Sequence, residues 1–156
     1  MTTNQSQTRH NPRSLDSIRV AEAMHRGVVT CKSEATLFTV ARLLAAHRIH
    51  AVAVAPATED EGWSVVTDLD LATVLSDGLL NEATAGSVAS APTVFVGPDE
   101  TLTRAAQLMR EYETHHLIVL GRGVDRPVGI ISTLDIADVL AELSQLEAPN
   151  RGGGVQ

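Results

Sequence analysis

Two stretches of this chain decide its fold, SVVTDLDLATVL at residues 64–75 and GIISTLDIADVL at residues 129–140. In each, a short apolar run typical of a strand changes into the i, i+3, i+4 spacing of an amphipathic helix. The change falls on an [ST]-x-x-D motif, Thr67 to Asp70 in the first stretch and Ser132 to Asp135 in the second. The two motifs are copies of one pattern, and such an internal repeat constrains the architecture more than any other sequence feature.

The repeat extends over most of the chain without a gap. At the same offset of 65 residues, Leu37 aligns with Leu102 and His50 with His115. Each copy is predicted to run helix, strand, helix, strand, strand, helix, with turn-rich loops between its last two strands. The predicted fold class is therefore α/β of the α+β type, with two tandem αβαββα repeats. Because a unit of about 60 residues buries little surface alone, we expect the repeats to pack sheet to sheet with pseudo-twofold symmetry.

Domain boundaries follow from the composition. Residues 1–14 and 145–156 are polar and contain Pro or several Gly, so they are predicted to form a disordered arm and tail. The first repeat is assigned to residues 15–79 and the second to residues 80–144.

Within the repeats, early strands are predicted at residues 28–31 and 93–96. The amphipathic helices after them are expected to start at Ser33 and at Pro98–Asp99. Apolar stripes on the helices are expected to face the core, and three of their members are Leu75, Tyr112 and Leu140.

Charge and composition exclude several classes of partner. The formal net charge of the 156-residue chain is −7 and its pI about 5.2, which argues against nucleic acid. Cys31 is the single cysteine, so no internal disulfide forms, and we expect it to be a buried structural residue. No apolar run has the length of a secretory signal core or a membrane span, so a cytoplasmic protein without membrane partners is predicted.

The [ST]-x-x-D motif has two interpretations. As a capping box, its hydroxyl and carboxylate satisfy free amide groups in the first turn of a helix. As a ligand site, the helix N-terminus and hydroxyl would suit phosphate, and the carboxylate would accept two sugar hydroxyls. A capping box prefers Glu or Gln at its last position, whereas both copies here have Asp.

The motifs, their tandem duplication and the αβαββα order resemble the tandem CBS-domain pair, or Bateman module, over residues 18–143. SVVTDLDL and GIISTLDI match the Gly-apolar-x-[Thr/Ser]-x-x-Asp pattern of that family, which includes adenylate-sensing members. The resemblance implies that Asp70 and Asp135 bind ribose hydroxyls and that Thr67 and Ser132 face phosphate. It further places six residues along the clefts between repeats, with the last two near the base: His50, Ala51, His115, His116, Val28 and Thr93.

The two copies do not match the family equally well. Gly129 keeps the glycine of the pattern, whereas Ser64 replaces it in the first copy, where an added Cβ would crowd a base or the facing repeat. An acidic run, Glu59–Glu61, lies near the strands of the first copy and would repel phosphate if it faces the cleft. We therefore expect the Ser132–Asp135 motif to provide the better half-site.

Metal binding and catalysis are not predicted. His47 and His50 lie one helical turn apart and His115 precedes His116, yet a closed zinc site needs three or four ligands. The sequence contains no G-x-S-x-G nucleophile elbow and no P-loop.

The expected function is a non-catalytic, ligand-sensing regulatory module without a required cofactor. The resemblance implies that it binds AMP, ADP, ATP or S-adenosylmethionine in the clefts, forms a homodimer and acts on an effector protein. The alternative is a structural or dimerisation module that binds no ligand, in which both motifs serve only as helix caps.

Overall fold

The computed structural model describes residues 15–89 and 93–147, except for the side chains of residues 146 and 147. The predicted arm and the tail from residue 148 onward lie outside the described residues. The last helix reaches Glu147, so it includes the first residues of the tail predicted from position 145. Within the described ranges, none of the helices combines the length and apolarity that crossing a membrane requires.

Apart from one short additional strand at His25–Arg26, both repeats have the predicted order of elements. After a 3₁₀ turn at Leu15–Ser17, the first contains α1 (Val20–Ala23), β1 (His25–Arg26), β2 (Thr30–Lys32), α2 (Leu37–His47), β3 (Ala51–Ala55), β4 (Ser64–Thr67) and α3 (Asp68–Ser76). The second contains α4 (Ala85–Val88), β5 (Phe95–Val96), α5 (Leu102–Glu111), β6 (His116–Leu120), β7 (Pro127–Ser132) and α6 (Thr133–Glu147).

The strands form two sheets, which confirms the predicted α+β class. One sheet has the order β2-β3-β4, and the other has the order β1-β7-β6-β5. In each sheet, the early strand runs parallel to the middle strand and the last strand runs antiparallel to it. The short strand β1 departs from the repeat order, because it pairs with β7 of the second repeat.

The opening helices are exchanged between the repeats. Val20 of α1 is buried in the core cluster that contains Leu102 and Leu117, whereas Ala85 of α4 is buried in the cluster around Val40. Backbone hydrogen bonds hold both helices in place, including one of 2.9 Å from Val20 N–H to the Glu100 carbonyl and one of 2.8 Å from Ala85 N–H to the Ala35 carbonyl. Residues 15–79 and 80–144 are therefore interlocked rather than separately compact.

A third cluster joins the sheets face to face. Ala51 and Val65 of the first sheet are buried against Ile118 of the second. At the edge of this contact, Trp63 Nε1 donates a 2.9 Å hydrogen bond to the Asp125 carbonyl in the loop of the other repeat. The apolar contact between β-sheets is the arrangement predicted from the repeat.

The predicted starts of the long helices lie two to three residues before the observed caps. Thr36 caps α2, because its Oγ1 accepts the Thr39 N–H at 3.3 Å, and Thr101 caps α5 by accepting the Arg104 N–H at 3.1 Å. Both threonines have extended backbone and lie at isolated strand bridges. Ser33 and Pro98–Asp99 belong instead to the turns before these bridges.

Three residues of the predicted apolar stripes lie on the surface. Leu75 is 64% exposed and Leu140 46%, although they directly follow Val74, which is buried, and Val139, which is half-buried. Tyr112 is 47% exposed because α5 ends at Glu111 and Tyr112 is already its C-cap. The early strands are also shorter than predicted, since β2 and β5 begin two residues later than expected.

Candidate functional site

The Ser132–Asp135 motif forms a helix cap. Asp135 N–H donates to Ser132 Oγ over 3.3 Å, while Asp135 Oδ2 accepts from the Ser132 backbone N–H at 2.6 Å and from its hydroxyl at 2.7 Å. These reciprocal bonds define a capping box. They use a single carboxylate oxygen, Oδ2, and leave Oδ1 outside the cap.

The Thr67–Asp70 motif has the same geometry. Asp70 N–H donates to Thr67 Oγ1 over 3.2 Å, and Asp70 Oδ2 accepts from the Thr67 backbone N–H at 2.7 Å and from its hydroxyl at 2.8 Å. The cap interpretation is therefore correct for both copies. Aspartate suffices in place of glutamate because it reaches the hydroxyl and the backbone N–H with the same oxygen.

The second carboxylate oxygen of Asp135 meets a residue from the other repeat. His25 Nδ1 lies 2.9 Å from Asp135 Oδ1, and the aspartate side chain is only 6% exposed whereas the histidine is 70% exposed. Strand pairing produces this contact, because His25 lies opposite Ile130 and Arg26 opposite Gly129 in the β1–β7 ladder. A ligand that hydrogen-bonds to Oδ1 must therefore share it with His25 or displace it.

Gly129 makes the close approach of β1 to β7 possible. A Cβ built at this position would lie 2.7 Å from the His25 carbonyl oxygen and 2.6 Å from Met24 Sδ. The glycine of the sequence pattern is thus required by strand packing at this position. It keeps β1, and with it His25, against the second repeat.

An open cavity of about 300 Å³ lies in front of Asp135. We call it the Asp135 cleft, and its lining residues are His25–Val29, His47–Ala51, His116, Ile130, Ser132, Leu134 and Asp135. Its volume is at the lower end of the range for small-molecule pockets. Six predicted site residues line it: Val28, His50, Ala51, His116, Ser132 and Asp135. Because the first repeat supplies His25–Val29 and His47–Ala51, the cleft is built by both repeats.

The other four predicted site residues lie elsewhere. His115 lines a second cavity of about 430 Å³, together with Glu113 and Thr133 at the ends of α5 and α6. Thr67, Asp70 and Thr93 line neither of these two cavities. The Asp135 cleft thus contains the second motif and not the first, although Thr67 of the first motif pairs with Ala51 across the β3–β4 ladder.

The comparisons with known proteins agree with this architecture. The family model described as "CBS domain" matches residues 20–77 and again 85–142. The chain belongs to the CBS domain family. None of the curated proteins compared with it matches.

Among solved structures, this CBS pair is similar to a CBS domain protein from Pyrobaculum aerophilum complexed with AMP. The two are 25% identical with a TM-score of 0.69, and the match covers 82% of this chain and 99% of the other. A CBS domain pair in complex with 5′-methylthioadenosine and S-adenosyl-L-methionine shares the fold at 20% identity and a TM-score of 0.69, covering 80% and 96% of the two chains. Hypoxic Response Protein I with two coordinated zinc ions is 26% identical, with a TM-score of 0.62 and coverage of 77% and 97%.

Histidines and aspartates from both repeats lie close together in and beside the Asp135 cleft. His50 Nδ1 is 2.6 Å from Asp68 Oδ2, and this hydrogen bond lowers the pKa of the Asp68 carboxyl below its usual value. His116 is half-buried beside them, and its burial lowers the pKa of its imidazole despite the nearby carboxylates of Asp68 and Asp135. His116 is therefore biased toward its neutral form.

Sequence reasoning missed the cleft residues whose positions depend on long-range pairing. His25 and Arg26 enter the cleft because β1 joins the second sheet, and no local pattern reveals that pairing. Arg48 enters it from the C-cap of α2, where its backbone adopts a left-handed conformation with φ of 53°. Ile130 lines it from the face of β7 that packs toward the first repeat.

Over the described residues, no group of three or more His, Cys, Asp or Glu side chains is placed to hold a metal ion. Cys31 is half-buried rather than fully buried, and burial raises the pKa of its thiol, which keeps it protonated.

Proposed function

We propose that this CBS pair is a non-catalytic regulatory module that binds an adenosyl ligand in the Asp135 cleft. The observation that carries the proposal is the buried carboxylate of Asp135, whose oxygen Oδ1 lies outside the helix cap at the wall of a cavity built by both repeats. A carboxylate held in this way is a strong acceptor for ribose hydroxyls. The similar CBS protein complexed with AMP, at 25% identity, supports the same ligand class.

The lining of the cleft fits the parts of an adenosyl ligand. Val28, Ile49 and Ile130 supply apolar side chains against which a purine can pack, and Asp135 supplies the ribose acceptor. Ser132 has a smaller role than the sequence predicted, because its single O–H already donates to Asp135 Oδ2. Thr67, Asp70, Thr93 and His115 remain predicted residues of a second half-site.

Regulation would work by population shift. A ligand that contacts Val28 from the first repeat and Asp135 from the second stabilises the arrangement of the repeats in which both face the cleft. The signal is the relative arrangement of the two repeats and not a chemical reaction, so an effector protein must recognise that arrangement. A location in the cytoplasm stays a prediction from the sequence.

We further propose that the module forms a homodimer through the outer faces of α3 and α6. Leu75 and Leu140 occupy equivalent positions in the two repeats, and both are exposed on these helices. Matching apolar side chains on a pseudo-twofold surface suit a self-complementary contact between two copies. Sedimentation equilibrium of the wild type and of a Leu75→Glu, Leu140→Glu variant tests this point.

Thermal unfolding with AMP, ADP, ATP, S-adenosylmethionine and adenosine tests the proposed function. A ligand at one hundred times its dissociation constant should stabilise the protein by about 2.7 kcal/mol. Mass spectrometry of nucleotide released from the purified protein gives an independent measurement. If none of these ligands shifts the transition and none is released, the structural alternative without a ligand is correct.

A further inference from the structure

We propose that the second cavity binds a free α-amino acid with an apolar side chain. This cavity lies where α5 ends and α6 begins, has a volume of about 430 Å³ and is lined by the second repeat alone. We call it the α5–α6 cavity, and pockets of this volume hold small molecules. The amino acid would be a second ligand of the module, and the inference does not rest on the adenosyl site in the Asp135 cleft.

The buried part of this cavity's lining is apolar. Met109 is only 5% exposed and belongs to the core cluster of the second repeat, and Ile136 packs against that cluster. Ala106 is half-buried on α5 and leaves room beside them, because its side chain is a single methyl group. An apolar ligand side chain that enters here is removed from water, which stabilises the complex in proportion to the buried area.

Ionisable side chains complete the lining. Arg110 lies in the last turn of α5, Glu113 follows the end of that helix by two residues, and His115 precedes β6. All three residues are exposed. Within residues 15–89 and 93–147, none of the three side chains forms an ion pair or a hydrogen bond. A guanidinium, a carboxylate and an imidazole are therefore available to a ligand of the cavity.

Two opposite charges beside an apolar surface match a zwitterion. A guanidinium group binds a carboxylate through two parallel hydrogen bonds, and a carboxylate accepts hydrogen bonds from an ammonium group. A free amino acid carries both complementary groups on one carbon atom, so it can engage Arg110 and Glu113 together. A simple carboxylic acid would engage the arginine and be repelled by the glutamate, whereas a simple amine would be repelled by the arginine. The amino acid is therefore favoured over both.

The equivalent region of the first repeat is arranged differently. There, His50 Nδ1 lies 2.6 Å from Asp68 Oδ2, so the imidazole and the carboxylate satisfy each other. The residues 65 positions further on are His115 and Thr133, and a threonine cannot form such an ion pair. Thr133 forms no side-chain hydrogen bond in the described part of the chain, and its hydroxyl can donate to a ligand carboxylate. His115, predicted for a nucleotide half-site, lines the α5–α6 cavity and not the Asp135 cleft.

Glu113 is held in an unfavourable backbone conformation. Its φ of 51° lies in the left-handed region, which glycine adopts far more readily than other residues. Residues held in this way are concentrated at functional sites. The first repeat has Arg48 at the equivalent position, with φ of 53°, and Ala45 at the position of Arg110. The neighbouring opposite charges are therefore a feature of the second repeat and not of the repeated pattern.

An NMR titration of the ¹⁵N-labelled full chain with L-leucine, L-methionine and L-phenylalanine tests the inference. At least one of them should bind at one site per chain, with its largest amide shifts at residues 109–115 and 133–136. The deaminated and the decarboxylated counterpart of that amino acid should each bind roughly ten times more weakly, because each loses a charge-assisted hydrogen bond. Saturation of the protein with AMP should leave the amino acid bound.

Variants that remove one charge assign the two ends of the ligand. Arg110→Ala should weaken the amino acid roughly tenfold and leave its decarboxylated counterpart within about twofold. Glu113→Ala should weaken the amino acid by a similar factor and leave its deaminated counterpart unchanged. Arg104→Ala and Glu111→Ala are the matched controls, because they remove the same charges from α5 at positions that do not line the cavity. Both controls should bind the amino acid like the wild type.

Three results would contradict the inference. If none of the three amino acids binds, the cavity is not an amino-acid site. If the largest amide shifts occur at His25 and Asp135, or if AMP displaces the amino acid competitively, the ligand occupies the Asp135 cleft instead. If the deaminated or decarboxylated counterpart binds as tightly as the amino acid, or the controls weaken binding as much as Arg110→Ala, these charges do not recognise a zwitterion. Failure of every adenosyl compound to bind would overturn only the proposed function.

Discussion

The imidazole of His25 and the carboxylate of Asp135 join the two repeats, with 2.9 Å between Nδ1 and Oδ1. The contact links β1, which precedes the first repeat's core strands, to the first turn of α6 in the second repeat. It occupies the one oxygen of Asp135 that the helix cap leaves available. His25 therefore competes with any ribose that binds Asp135.

Removing the imidazole should strengthen the binding of adenosine. In His25→Ala, the ligand no longer has to displace an imidazole from Asp135 Oδ1. The net free energy of one hydrogen bond is about 0.5–1.5 kcal/mol, which corresponds to roughly a two- to tenfold lower dissociation constant. Adenosine is the appropriate ligand, because it lacks phosphate and so does not report the loss of a basic group. Titration calorimetry measures the change.

The control for this experiment is His47→Ala, which removes another imidazole from the Asp135 cleft and leaves the contact at Oδ1 intact. It should leave the dissociation constant for adenosine within twofold of the wild type. Weaker adenosine binding in His25→Ala would show that His25 assists the ligand and does not compete with it.

Substitution of the two aspartates of the repeated motif should distinguish a role in helix capping from a role in ligand binding. Asp135→Ala and Asp70→Ala each delete a carboxylate that accepts from a backbone N–H and a hydroxyl. Each should lower the free energy of unfolding by about 1–3 kcal/mol in urea denaturation, because a cap is lost and partly buried donors are left unpaired. Only Asp135→Ala should also abolish AMP binding to the protein that remains folded.

An equal loss of AMP affinity in both variants would mean that the first motif also contributes to nucleotide binding. Loss of stability in Asp135→Ala with unchanged affinity would reduce Asp135 to a helix cap and contradict the proposed site.

A side chain at position 129 should disrupt the wall of the cleft. Gly129→Ser gives the second repeat the serine that the first has at Ser64, but the new Cβ would lie 2.7 Å from the carbonyl oxygen of His25. Overpacking of this kind costs about 1–3 kcal/mol, and relief requires β1 to move away with His25 and Arg26. We expect lower stability together with weaker AMP binding.

Gly62→Ser is the matched control for this substitution, since a Cβ at Gly62 would meet no atom within 4 Å. It should change neither the urea midpoint nor the AMP affinity. If Gly129→Ser also behaves like the wild type in both measurements, the close approach of β1 to β7 does not position the cleft.

Much of the fold could be predicted because the same local sequence patterns occur in both repeats. The helical spacing after Thr67 and Ser132 predicted both α3 and α6, and the offset of 65 residues placed the remaining elements. What could not be predicted depends on contacts far apart in sequence. The exchange of α1 and α4 between the repeats is one case, and the pairing of β1 with β7 is another.

The candidate site also contains residues that local sequence predicted and residues that it did not. Ser132 and Asp135 were found from their motif, whereas His25 reaches Asp135 only through a strand pair more than a hundred residues apart. Arg48 was missed for a different reason, because its side chain is directed by a left-handed φ that favours glycine and that a sequence containing arginine does not suggest. Local patterns thus predicted Asp135, the proposed acceptor for ribose, whereas tertiary contacts place His25 and Arg26 in the cleft.

The stability of the protein should fall when the pH drops below about 6.5, and His116 should be one cause. Burial lowers the pKa of its imidazole below the usual 6.5, so between the two values the unfolded chain binds more protons than the folded protein. The free energy of unfolding contributed by His116 is therefore fully present above pH 6.5, falls as the pH drops through 6.5, and levels off below the folded-state pKa. The carboxylates of Asp68 and Asp135 raise the pKa of His116 and so oppose this effect, whereas the nearby imidazoles of His115 and His50 lower it further.

Urea denaturation at pH 5, 6, 7 and 8 checks this expectation in the wild type and in His116→Gln, which cannot titrate. The difference in unfolding free energy between the two proteins should be the same at pH 7 and pH 8. From pH 7 to pH 5 the wild type should lose stability relative to His116→Gln. Asp68 affects stability in a lower pH range, because the hydrogen bond to His50 lowers the pKa of its carboxyl from 3.8. Its contribution to the free energy of unfolding is lost only as the pH falls below 3.8. Parallel profiles for the two proteins from pH 8 to pH 5 would show that His116 is not held in its neutral form by burial.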